Sequence, residues 1–199
     1  MKLQCLILAG GYGKRMGEDK SRLSYQQDGQ NQVAYLSNLA HQWGLTAFLS
    51  CRENQFEKDF CPDLPRIFDQ SEKGGPLVGI LSAMEKDPDS SWFCLACDLP
   101  LIEKKHGDIL LEKYKELLEE KVQAIAFFNE ERKAYEPLFA IYYPNLVKKA
   151  KELLQRDIKC PQKLLQESLV FKISLNTQSF LFNANTQEER KKILQEKGL

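Results

Sequence analysis

From position 8 to position 20 the chain reads Leu-Ala-Gly-Gly-Tyr-Gly-Lys-Arg-Met-Gly-Glu-Asp-Lys. Glycines let backbone N–H groups approach an anion closely. Arg15 supplies a forked donor and Lys20 a point charge, the two forms of cation that proteins use on phosphates. The chemistry that this spacing supports is phosphate binding. It is not a P-loop, which needs Gly-x-x-x-x-Gly-Lys followed by Ser or Thr. It is not a dinucleotide fingerprint either, because Met16 stands where the third glycine belongs. Asp98, in Cys97-Asp98-Leu99-Pro100, ends an apolar run. A carboxylate there is costly unless it is paired or bound to a cation, and Mg²⁺ bridging to phosphate oxygens suits it. A turn cap is its other available role. Asp69, directly after Ile67-Phe68, could reach a ribose hydroxyl or a nucleotide phosphate, or cap a turn. Asn183 and Asn185 are equally open, with Asn185 just ahead of a Thr186 cap. The chain has 2 histidines, His41 and His106, and no Gly-x-Ser-x-Gly, so no catalytic triad can be argued. Phosphoryl chemistry does not need one, since positioning and charge neutralisation carry most of the rate.

The elements that must position these groups follow from periodicity. Apolar runs at 3–8, 47–51, 66–68, 92–96, 124–128, 137–142 and 169–173 read as strands. Helical patterns cover 31–43, 53–60, a stretch from Pro76, 106–120, 145–155 and a last segment after Thr186. Asn31 is placed to cap the first of these, and Pro76 to occupy a first helical position. Thr186-x-x-Glu189 is a capping-box pattern. Strands alternating with helices predict one mostly parallel sheet covered on both faces, an α/β chain with residues 1–199 forming a single domain. Ligands in such folds sit beyond the carboxyl ends of the strands. The glycine loop, Asp69 and Asp98 each follow a strand directly, so all three should meet on one rim.

Composition narrows the partners. With 28 basic and 28 acidic side chains the net charge is zero, which gives no general attraction to nucleic acid or to an anionic membrane. The first apolar run is shorter than a secretory core, and none approaches a membrane span. A cytoplasmic protein is expected, with a monomer favoured. Cys5, Cys51, Cys94 and Cys97 lie in or at the ends of strand-like runs, where they act as small hydrophobes. Cys94-x-x-Cys97 could be half of a zinc or redox site. Positions three apart on one strand point to opposite faces, which favours a structural role in a reducing compartment.

Taken together, the motifs resemble those of the NTP-transferase superfamily and, more narrowly, the molybdenum cofactor guanylyltransferases. The resemblance runs through residues 8–20, Gly75-Pro76-Leu77-Val78-Gly79-Ile80, Cys97-Asp98-Leu99-Pro100 and Asn183-Ala184-Asn185-Thr186, in the family's order. It implies a Rossmann-like three-layer α/β/α fold of the nucleotide-diphospho-sugar transferase type. It also implies transfer of GMP from GTP to Mo-molybdopterin, with release of pyrophosphate. By position, Leu8, Ala9, Gly10, Gly11, Lys20 and Asp69 would bind GTP, and Asp98 would hold Mg²⁺ and touch the nucleotide. Arg15, Lys20 and Asp98 would carry catalysis. Pro137, Leu138, Asn183 and Asn185 would lie toward the acceptor. Many family members have asparagine after the second strand, where this chain has Ser50-Cys51-Arg52. The base therefore stays open, with a molybdopterin cytidylyltransferase or a sugar-phosphate nucleotidyltransferase as alternatives.

Overall fold

The computed structural model describes residues 2–10, 19–70, 74–117, 120–174 and 179–199. Seven strands form one sheet: β1 (Lys2–Leu8), β2 (Ala47–Cys51), β3 (Arg66–Phe68), β4 (Ser90–Ala96), β5 (Ala124–Asn129), β6 (Ala134–Tyr142) and β7 (Val170–Ser174). Their spatial order is β3-β2-β1-β4-β6-β5-β7. β6 runs antiparallel to both of its neighbours, and every other pairing is parallel. The sheet is therefore mostly parallel, as the alternating pattern predicts.

Among the described residues the α-helices are α1 (Gln32–Gln42), α2 (Pro76–Lys86), α3 (Lys104–Glu116), α4 (Val147–Gln155), α5 (Pro161–Gln166) and α6 (Gln187–Glu196). Period-2 alternation divides each strand between two cores. Cys5 and Ile7 of β1, with Phe93 and Leu95 of β4, join Val33, Leu36 and Leu39 of α1 and Leu110 of α3. Leu6, Trp92 and Cys94 face the other way, onto Leu77, Ile80 and Met84 of α2, Leu153 of α4 and Leu164 of α5. Here the strands present Ala124, Ala126 and Ala140, small residues that let helices come close. The result is three layers, α/β/α. A small third cluster joins Ile193 of α6 to Leu23, Tyr25 and Ala184.

Cys94 and Cys97 lie in opposite cores and all six thiols are free. Among the described residues no group of three His, Cys, Asp or Glu could hold a metal, and no helix is long and apolar enough to cross a membrane.

The local signals hold at most boundaries. The Asn31 side chain accepts from the Ala34 N–H at 2.9 Å, capping α1. Pro76 opens α2 behind Gly75, and Thr186 and Glu189 close a reciprocal capping box on α6. Helix α3 begins earlier than its periodicity suggests, at Lys104, because the His106 ring accepts from the Glu103 N–H at 3.0 Å and completes a cap there. The segment 53–60 is a correction: it forms turns, with no helix. Asn54 sits at φ 60°, outside the helical region. The Arg66 guanidinium, on β3, binds the carbonyls of Phe56, Glu57 and Phe60. Those acceptors are thus satisfied from a distance, and the stacked Phe56–Phe60 pair is fixed in the core without helical hydrogen bonds.

Candidate active site

Parallel strands bring their carboxyl ends to one edge of the sheet, and from β1 the strand order runs outward through β2 and β3 on one side and resumes with β4 on the other. The crevice at such a switch point is the usual ligand site. A cleft of about 410 Å³ opens there. Its floor is Leu8, Ala9 and Gly10 at the end of β1, and Ser50 near the end of β2 and Asp69 just after β3 lie to one side. Ala96, Cys97 and Asp98, at the end of β4 and just after it, lie to the other. Gly74, Gly75 and Pro76 bring the start of α2 to its wall. No side chain caps that helix end, and the positive end of a helix dipole favours anions.

Lys20 and Asp98, far apart in sequence, meet in this cleft. The Lys20 ammonium donates to Asn185 Oδ1 at 2.6 Å and lies 3.9 Å from Asp98 Oδ2. Lys20 heads a short 3-10 turn, Lys20–Arg22, whose cap is Asp19. Asn185 arrives because the Ala184 N–H donates to the Asp98 carbonyl at 2.8 Å, tying the segment before α6 to the turn after β4. The other oxygen of Asp98, Oδ1, is buried without a hydrogen-bond partner among the described residues. Burial pushes the Asp98 carboxyl up from its ordinary range, and the nearby Lys20 charge opposes the shift. A buried carboxylate oxygen with no donor is a position that a cation would satisfy.

Asp69 occupies the opposite flank. It accepts from the Ser50 hydroxyl at 2.8 Å. Burial raises its pKa, against the lowering effects of that hydroxyl and of Arg52. The glycines around it are there for room. A Cβ on Gly79 would lie 2.3 Å from Ser50 Oγ, and one on Gly10 would lie 2.7 Å from Asp69 Oδ2. The Arg52 guanidinium donates to the Gly10 carbonyl, which places Arg52 against the backbone just beyond β1.

The acceptor-side residues divide. Leu138 and Asn185 line the cleft. Pro137 and Asn183 are half-buried and are not among the lining residues; the Pro137 carbonyl accepts from the buried Tyr142 hydroxyl at 2.7 Å. Leu138 reaches the rim because β6 is antiparallel to β4, with Phe139 paired to Leu95, so its early residues stand beside the carboxyl end of β4. Glu136 shares that position. Burial and the nearby Asp98 carboxylate push its pKa up to about 7. Gly11 and Arg15 lie outside the described residues.

Sequence reading missed Ser21, Ser50, Gly79 and the start of α2 as cleft residues. The motif from Gly75 to Ile80 pointed toward Gly79 and the start of α2, and nothing pointed toward Ser21 or Ser50. Ser50 has no local signal, since its hydroxyl acquires a role only when Asp69 is brought beside it.

The MobA-like NTP transferase domain matches residues 5–170. The molybdenum cofactor biosynthesis bifunctional protein of Synechocystis sp. is 31% identical over 161 residues, covering 81% of this chain. This chain spans only 45% of the length of that relative. The probable molybdenum cofactor guanylyltransferase of Trichormus variabilis is 30% identical, across 94% of this chain and 88% of its own length. Among solved structures, the molybdopterin-guanine dinucleotide biosynthesis protein A of Archaeoglobus fulgidus shares the fold. Its TM-score is 0.78 at 19% identity, covering 100% of this chain and 99% of that one. With the domain matched over residues 5–170, and with Lys20, Asp98 and Asn185 gathered at one edge of the sheet, the chain belongs to the MobA-like NTP transferase family.

Proposed function

We propose that the protein is a molybdenum cofactor guanylyltransferase, transferring GMP from GTP to the terminal phosphate of Mo-molybdopterin with release of pyrophosphate. The observation that carries this reading is the meeting of Lys20, Asp98 and Asn185 in the switch-point cleft, 3.9 Å separating the ammonium from the carboxylate. The relatives named as guanylyltransferases support guanine as the base and the pterin phosphate as the acceptor.

In the reaction an oxygen of the acceptor phosphate attacks the α-phosphorus of GTP. The bond from that phosphorus to the bridging oxygen breaks, and the electron pair leaves with pyrophosphate. Both reactants are anions, so cations serve binding as well as rate. Lys20 lies beside Asp98 to receive phosphate oxygens, Arg15 would steady the leaving pyrophosphate, and Asp69 would contact the nucleotide. Leu8, Ala9, Gly10 and Gly11 would offer backbone along the triphosphate. Leu138 and Asn185, with Pro137 and Asn183 behind them, would face the acceptor.

Magnesium fits Asp98, whose buried Oδ1 lacks a donor among the described residues. A single protein carboxylate suits an ion that keeps waters and takes substrate phosphate oxygens for the rest of its shell. When bound, it would supply charge neutralisation at the phosphates.

Pyrophosphate release measured across the four NTPs, with and without molybdopterin, tests the assignment. Release only with GTP and molybdopterin together is expected. Release with CTP instead, or with a sugar phosphate as acceptor, would reassign the base or the acceptor.

A further inference from the structure

The turns between β2 and β3 bring one side chain against the framework of the cleft without placing it in the cleft wall. Gln55 uses both ends of its amide. Its Nε2 donates to the Ala9 carbonyl at 2.6 Å and to Asp19 Oδ2 at 3.3 Å. Its Oε1 accepts from the Arg52 N–H at 3.1 Å. Ala9 is the first residue beyond β1. Asp19 is the cap of the turn that carries Lys20, and its other oxygen accepts from the Ser21 N–H at 3.0 Å and the Ser21 hydroxyl at 2.6 Å. One primary amide therefore ties the end of β1 to the turn bearing the cleft's lysine.

The chemistry of this position selects an amide. Two acceptors and one donor converge on it, and glutamine presents two donors and one acceptor in return. Glutamate would turn an acceptor toward the Ala9 carbonyl and the Asp19 carboxylate. Lysine would leave the Arg52 N–H unmet, and leucine would leave all three groups without their partner. The amide is half-buried, where an unmade hydrogen bond costs more than at an open surface.

We propose that Gln55 is a positioning residue for nucleotide binding, acting through Asp19 to hold the Lys20 ammonium against Asp98 and Asn185. The proposal rests on the reading of the cleft as an NTP site. Gln55 touches no substrate. Its effect is to fix the cation in advance, so that binding a triphosphate does not also have to order the turn.

The test is a double-mutant cycle read by binding of a fluorescent GTP analogue with Mg²⁺, by KM and kcat for pyrophosphate release, and by thermal melting. Gln55→Leu should raise the dissociation constant and the KM for GTP about tenfold, one lost orientation of a charged hydrogen bond, with a smaller change in kcat. Lys20→Met should raise them further. Adding Gln55→Leu to Lys20→Met should then produce little additional loss, because the residue through which it acts is already gone. A merely structural glutamine would multiply the two losses and lower the melting temperature of both backgrounds alike. Multiplicative losses, or an unchanged KM in Gln55→Leu, overturn the proposal while leaving the cleft's assignment intact. A wild-type protein that binds none of the four NTPs overturns both.

Discussion

Asp98 combines two features that are costly apart and useful together. Its Oδ1 is buried without a donor among the described residues, and its carboxyl is pushed up from the ordinary range by burial. Lys20, at 3.9 Å from the other oxygen, offsets only part of that cost. A divalent cation would offset the rest, so the metal and this carboxylate should be lost together. Asp98→Ala is expected to lower kcat for pyrophosphate release by at least about 100-fold, the scale of removing a group that stabilises developing charge. Its far-UV circular dichroism should remain that of the parent. Near-normal, metal-dependent turnover in that variant would remove Asp98 from the machinery. Glu136 makes a prediction of a different kind. Its folded pKa, pushed up to about 7, lies above the ordinary glutamate value. Below the ordinary value the carboxyl is neutral in both states and costs nothing. As pH rises through that value toward 7, the unfolded chain ionises first and stability is lost. Glu136→Gln keeps an acceptor for the Leu138 N–H, which Glu136 holds at 3.0 Å. The variant should therefore match the parent near pH 4 and exceed it by about 3 kcal/mol at pH 8. Urea unfolding at the two pH values checks this, and an equal difference at both would contradict it.

At the scale of elements, the site depends on where helices begin. The start of α2 forms part of the cleft wall, and α6 starts directly after Asn185. The α6 cap does two jobs. Glu189 accepts from the Thr186 N–H at 2.8 Å and also from the Asn185 N–H at 2.7 Å. The same carboxylate that starts the helix thereby fixes the backbone of a cleft residue. These N–H donors hold the Glu189 pKa below its ordinary value, so this contribution is present above the glutamate range and fades as pH falls through the lowered value. Thr186→Ala should cost about 1 kcal/mol, which corresponds to a fall of roughly 2–4 °C in melting temperature for a chain of this size. It should also raise KM, because Asn185 loses part of its anchorage. Thr186→Ser should restore both. A variant that lost stability with an unchanged KM would show that the cap serves α6 alone.

For the whole molecule, the last helix acts as a tie between loops that local structure cannot hold together. The Lys197 ammonium donates to the Tyr25 carbonyl and to the Pro100 carbonyl, each at 3.1 Å. Tyr25 follows the turn that bears Lys20, and Pro100 lies two residues beyond Asp98. One half-buried cation thus clamps the loops after β1 and β4 together. Lys197→Met keeps much of the side chain's volume and leaves both carbonyls without a donor. It should cost about 1–3 kcal/mol, measured by thermal melting, and should reduce kcat/KM for GTP more than the exposed Lys191→Met does. Equal effects of the two substitutions would show that the clamp is not needed.

The amino-acid sequence determined what could be read within a few residues. The strands follow from short apolar runs, the caps from Asn31, Pro76 and Thr186, and the phosphate chemistry from glycines beside Arg15 and Lys20. Asp98 was legible because a carboxylate at the end of an apolar run is an anomaly that needs a partner. Tertiary structure decided which partner each group has. Lys20 and Asn185 are separated by 165 positions and touch only because the segment before α6 pairs with the turn after β4. Residues 53–60 carry a helical pattern and form turns, because Arg66 takes up their carbonyls from another strand. Leu138 enters the cleft because β6 runs against its neighbours, and Gln55 matters because it bridges Ala9 and Asp19. Periodicity and capping act between near neighbours in the chain, whereas a cleft is made by groups whose proximity exists only once the sheet has closed around its two cores.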